Sequence, residues 1–301
     1  MDERIEKARG IYERAVFAGD RRGVDDAVLG LDAVDADVAL ARGRLLHARF
    51  LEAGDGVADP NELSLFERAA ALYQRLGDTR SEGEALFWIG CFHQVVRRDN
   101  AAAVPVLHRS SELVRRAGDL LTLSYVLRHL GIAEHAADHL EAARQYLEQS
   151  TTFRRDLAFM PGVAANLVGL GYIAAGQGRR QDSRDLLEQA AETAETAGAQ
   201  AIVDQMREAR TRVAELNASR EITVVLNRDT ADAGAPTRPS STERSTLATR
   251  RVAGRVRFQH RAISRSDRAT PAGAPGPAAP SRTAARCECG GTHRHCPGPP
   301  G

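Results

Sequence analysis

Apolar residues recur every three or four positions from the N-terminus to about residue 217, the period of helices that bury one face. Runs of alternating β-branched residues between tight turns are absent, so no strand is expected. Polar or glycine-containing breaks fall at Gly19–Asp20, Gly54–Pro60, Gly77–Asp78, Arg97–Asn100, Gly118–Asp119, Ala137–His139, Phe159–Pro161, Gly176–Arg180 and Gly198. They predict an all-α protein of about eleven helices joined by short connections, as between antiparallel neighbours.

Three glycines interrupt the strongest apolar runs: Gly90 in "LFWIGCFH", Gly131 in "YVLRHLGIAEH" and Gly171 in "NLVGLGYIAA". A glycine inside a helix costs about 1 kcal/mol relative to alanine. These three lie 41 and 40 residues apart, which marks an internal repeat. Two apolar residues precede each glycine, at Leu86 and Ile89, Leu127 and Leu130, Leu167 and Leu170. The following helix carries a small, a large and a small residue: Ala103, Leu107 and Ser110; Ala143, Leu147 and Ser150; Ser183, Leu187 and Ala190. Gly118, Ala158 and Gly198 then end it. The glycine is expected to cut a notch that lets two helices pack closely, with the small residues of the partner filling it and large residues burying area around it. A last segment, "AIVDQMREARTRVAEL", puts Ile202, Met206, Ala209, Val213 and Leu216 on one side, which suits a helix capping the stack.

Beyond Asn217 leucine nearly vanishes, and Pro, Gly, Ser, Thr and Arg dominate. Such a stretch buries too little apolar surface to offset its ordering entropy, so 218–301 is expected to be a disordered tail. Its abrupt composition also fits an out-of-frame reading of GC-rich sequence. Residues 1–34 are expected to form N-terminal helices, and 35–217 the repeats with their capping helix.

"LRHLG…AARQYLEQS" and "LVGLG…SRDLLEQA" resemble the tetratricopeptide repeat, with "LFWIG…AAVPVLHRS" matching through one extra residue in its turn. The period of about 40 exceeds the usual 34 of that family, as in helical repeats of bacterial signalling proteins and in tetratricopeptide proteins common in actinobacteria. Residues 40–78 look like a degenerate earlier copy in which Arg49 replaces the glycine and Phe66 and Ala69 are kept. The resemblance implies a right-handed superhelical solenoid of antiparallel helix pairs whose first helices line a concave groove. Its groove positions correspond to His47 and Phe50; Phe87, Trp88, Cys91 and Gln94; Arg128, His129, Ile132 and His135; and Val168 and Tyr172. Aromatics and arginine are favoured binding anchors. The lysine–asparagine clamp of chaperone-binding relatives is absent.

Net charge is +1, which favours neither nucleic acid nor an acidic surface as a whole-chain partner. The charged N-terminus lacks a signal-peptide core, and no apolar run approaches the roughly 20 residues of a membrane span, so a cytoplasmic protein without a membrane partner is expected. Four cysteines, three of them crowded at Cys287, Cys289 and Cys296, do not make a disulfide scaffold. His135 and His139, four apart beside Glu134 and Asp138, have zinc-compatible spacing but no third ligand nearby. The terminal "CECGGTHRHC" matches no common zinc module, and the tail arginines Arg250, Arg251, Arg255, Arg257, Arg261 and Arg265 lack interleaved aromatics, so neither a metal nor a nucleic-acid partner is expected. Phosphate loops, nucleophile elbows and paired carboxylates are missing. The expectation is therefore a non-catalytic, cofactor-free scaffold that binds a protein or peptide. The alternatives are a sensor module of a regulatory system and a metal- or ligand-dependent enzyme on a helical scaffold.

Overall fold

Turn chemistry decides where these helices stop. A computed structural model of the chain describes residues 2–54 and 56–215, and among them helices are the only regular elements. They are α1 (Glu3–Phe17), α2 (Val24–Ala53), α3 (Glu62–Leu76), α4 (Thr79–Cys91), α5 (Asn100–Ala117), α6 (Leu120–Ala136), α7 (Leu140–Asp156), α8 (Met160–Gly176) and α9 (Arg180–Thr196). A tenth, α10, runs through 200–215. The final turn of α4 continues as a wider π-helical turn, Phe92–Val96. No described helix is long and apolar enough to cross a membrane. The expected tail, 218–301, lies outside the described residues.

From α3 to α9 each helix is followed by one residue in the left-handed region: Gly77, Arg98, Gly118, Asp138, Ala158, Gly178 and Gly198. From Arg98 onward the interval is 20 residues throughout. The next N–H then reaches back to a carbonyl five residues earlier, as in Asp78 to Tyr73, Asp119 to Val114 and Phe159 to Arg154, except that Asp99, after the π-helical turn, reaches His93 six residues back. This closure satisfies carbonyls that the helix end leaves free. The same next residue starts the following helix. Asp78, Asp99 and Asp119 accept from the backbone N–H of Ser81, Ala102 and Thr122, whereas His139, Phe159 and Arg179 provide no side-chain cap.

The helices pack as neighbours in sequence. α2 lies against α3, α4 against α5, α6 against α7 and α8 against α9, and α4 also meets α6 as α6 meets α8. α2 is continuous across 34 and 35, so the boundary expected there falls inside a helix. Proline is absent between Gly23 and Gly54, and Gly30 and Gly43 both stay helical, so nothing ends α2 earlier. Val203, Met206, Ala209 and Val213 of α10 are buried, and the last three join the core between α8 and α9.

The repeated glycines mark the close approaches. A Cβ on Gly90 would lie 2.7 Å from Leu107, and one on Gly171 2.9 Å from Leu187. On Gly131 it would fall on the Leu147 side chain and lie 3.2 Å from the Ala143 carbonyl. The leucine fills the notch, correcting the expectation that small residues do so. The small residues act otherwise: Ala103, Ala143 and Ser183 bring their carbonyls near the glycine. The Ser183 hydroxyl donates to Gly171 O at 2.8 Å, while Ser110 and Ser150 donate to Gly83 O and Ser124 O, each at 2.6 Å. Ala190 is fully buried.

In the first pair the notch is Gly43, not Arg49, which is exposed. A Cβ on Gly43 would sit 2.5 Å from the ring of Phe66. The extra residue of the second pair also has a different place. It lies in the π-helical turn of α4: Arg98 follows Gly90 by eight positions, where Asp138 and Gly178 follow their glycines by seven.

Candidate functional site

The residues expected to line a groove come together, mostly as a packed layer. Phe87, Cys91, Gln94, Arg128, His129, Ile132, Val168, Tyr172 and His47 are buried, while Phe50, Trp88 and His135 are half-buried. A chain of ring contacts crosses from α2 to the start of α8. Trp88 stacks on Phe66 at 5.6 Å, with His47 edge-on at 5.6 Å and Phe87 at 5.2 Å. Phe87 then meets Tyr125 at 5.6 Å, and Tyr125 meets Phe159 at 5.8 Å. Offset and edge-on pairs of this kind add modestly to the apolar area they bury. Phe50, Trp88, Tyr125 and Phe159 keep part of their rings exposed, and Arg44 lies over Trp88 at 5.5 Å while pairing with Glu84.

Two polar clusters lie beneath this layer. In the first, His47 Nδ1 is 2.8 Å from Glu62 Oε1, and His47 Nε2 is 3.7 Å from Cys91 Sγ. Glu62 is 0% exposed and occupies, four residues before Phe66, the place that Ala103, Ala143 and Ser183 take before their leucines. The assignment that satisfies both contacts has Nδ1–H donating to the carboxylate and the thiol donating to Nε2. The order acid, imidazole, thiol is that of an activated nucleophile. Here burial, with the Glu62 charge adding to it, pushes the Cys91 thiol well above its usual range, so sulfur stays protonated and unreactive.

The second cluster joins α6, α7 and α8. Arg154 is 1% exposed and donates to Gly162 O at 2.7 Å, to Asn166 Oδ1 at 3.0 Å and to Ser124 Oγ at 3.3 Å. Arg128, 9% exposed, donates to Ala165 O at 2.8 Å and to the same Asn166 oxygen at 3.0 Å. Tyr125 and Phe159 face the Arg154 guanidinium at 4.9 and 5.6 Å. Burial pushes Arg128 down to about 10, and burial with the Arg128 charge pushes Arg154 down to about 9. Both remain cations at neutral pH. Carbonyls, an amide and aromatic faces, instead of a carboxylate, hold these two charges.

Gln94 links α4 to α6 in a third set of bonds: its Oε1 lies 2.6 Å from His129 Nδ1, and its amide donates to His129 O at 3.0 Å. His139 bonds Glu134 at 2.8 Å, and no group of three or more His, Cys, Asp or Glu among the described residues is arranged to hold a metal ion. Cys287, Cys289, Cys296 and the tail arginines lie outside the described residues. A separate open cleft of about 710 Å³ lies between α7 and α9, where Arg144 and Arg179 face Glu148, Asp182, Asp185 and Glu188.

Sequence reasoning missed Glu62, Arg154 and Asn166. Arg154 stands beside Arg155 and Asp156 and Glu62 beside Asn61, whereas Asn166 is a lone polar residue in the apolar run of α8; in each case the approach of a neighbouring helix supplies the polar partners. No family model matches the sequence, and no curated protein matches it significantly.

Proposed function

We propose that the chain is a non-catalytic scaffold whose helix pairs stack as a right-handed, tetratricopeptide-like solenoid. It binds an extended protein segment along the exposed edges of the first helices. The observation that carries this reading is the row of half-exposed rings Phe50, Trp88, Tyr125 and Phe159, supplied by successive helix pairs and flanked by Arg44. Rigid aromatics beside an arginine are the residues on which binding energy concentrates. The protonated, buried Cys91 supports the non-catalytic part of the reading.

Arg128 is removed from the set of direct contacts, because it is buried and its Nη1 donates to Ala165 O and Asn166 Oδ1 of α8. The test is to recover a partner by pull-down and titrate it calorimetrically. Trp88→Leu and Arg44→Ala, each folded by circular dichroism, should weaken binding by about thirtyfold, the 2 kcal/mol of a hot spot. Glu112→Ala, on exposed α5 surface, should not. Unchanged affinity in both groove variants overturns the assignment.

A further inference from the structure

The exposed apolar side chains are concentrated at one end of the chain. Among the described residues fifteen large hydrophobics are exposed, and ten of them lie between Ile5 and Leu45. Those on α2, Leu29 apart, are regularly spaced. Val24, Val28, Leu31, Val38 and Leu45 are separated by steps of four and three once Asp35 and Arg42 are counted in the same row. Val28 is 54% exposed and Leu45 67%. This is the spacing of a helix seam that buries itself against a second helix. α2 buries a different row, Ala36, Ala39, Leu40, Gly43 and His47. α3 packs on that row and α1 packs beside it, reaching Asp37 through Arg4, while the outer row stays exposed from Val24 to Leu45 apart from half-buried Asp35. At 1.5 Å per residue the outer row is about 32 Å long.

The two charges in the row indicate what covers it. Asp35 and Arg42 are opposite in sign and flank Val38. Arg68 bonds Asp35 through Oδ2 alone, and Arg42 is exposed. A second α2, related by a twofold axis near Val38, runs antiparallel to the first. It brings each Leu31 near the partner's Leu45 and each Asp35 near the partner's Arg42. The same contact is then made twice, as an isologous interface requires. We propose that the protein is a homodimer paired through this outer face of α2.

Sedimentation of the full-length chain tests this. The parent should sediment at twice the chain mass, and Val38→Glu should sediment at the monomer mass. Arg42→Asp and Asp35→Arg each place like charges opposite one another twice, and each should raise the dimer dissociation constant at least about tenfold. Mixing the two single variants restores both opposite-charge contacts, so the mixture should form a heterodimer that neither forms alone. That recovery also separates lost pairing from lost folding. A parent that is monomeric at every concentration overturns the proposal, as does a dimer indifferent to Val38→Glu or a mixture that stays monomeric.

Discussion

The first helix pair, α2 with α3, and the third, α6 with α7, solve one packing problem with different residues. Both press a helix glycine against a large apolar side chain: Gly43 against the ring of Phe66, Gly131 against the branched end of Leu147. Four residues earlier the third pair has fully buried Ala143, while the first has Glu62, which needs His47 across the contact to satisfy one carboxylate oxygen. The third pair ends on Ala158 in a left-handed conformation, the first on Gly77. Position in the contact is therefore held constant while chemistry varies, and the first pair exchanges part of an apolar contact for a hydrogen bond that requires a matched partner.

The strongest challenge to the equivalence is to fill both notches. Gly131→Leu and Gly43→Leu should each lower stability by about 3 kcal/mol, the upper end of ordinary overpacking, measured by chemical denaturation. If either melts with the parent, the two glycines are not doing the same job. Glu62→Ala comes next, at about 2–3 kcal/mol, because it strands the buried His47 imidazole. Replacing both His47 and Glu62 with leucine should recover most of that loss, and a double-mutant cycle with no coupling would show that the pair is incidental. The smallest expected effect concerns the helix ends. Ala158→Gly should stabilise by about 1 kcal/mol by removing a Cβ from a left-handed position. A lower melting temperature would mean that Ala158 makes a compensating contact.

Much of the helix layout was legible because glycine and aspartate punctuate the chain at the turns, and the Gly90, Gly131 and Gly171 columns found their leucines. Gly43 escaped because the longer connection after Ala53 separates it from Phe66 by 23 residues, against 16 between Gly131 and Leu147. The candidate site was less legible. Groove positions assume an outward face, yet α8 is buried on all sides from Gly162 to Ala175. A helix that is apolar all round carries no periodic signal of which face is free. Burial of Arg128 and Arg154 is likewise set by α8, which neither of their own helices encodes.

The π-helical turn at the end of α4 bears on how such a chain can change its length. One surplus residue between Gly90 and Arg98 is taken up as a local widening of the backbone. Beyond Arg98 the 20-residue beat resumes without offset. The surplus residue is absorbed where it stands, so the helix ends beyond it keep one spacing. Helix ends of this kind are places where a repeat protein can gain a residue and remain in frame with itself.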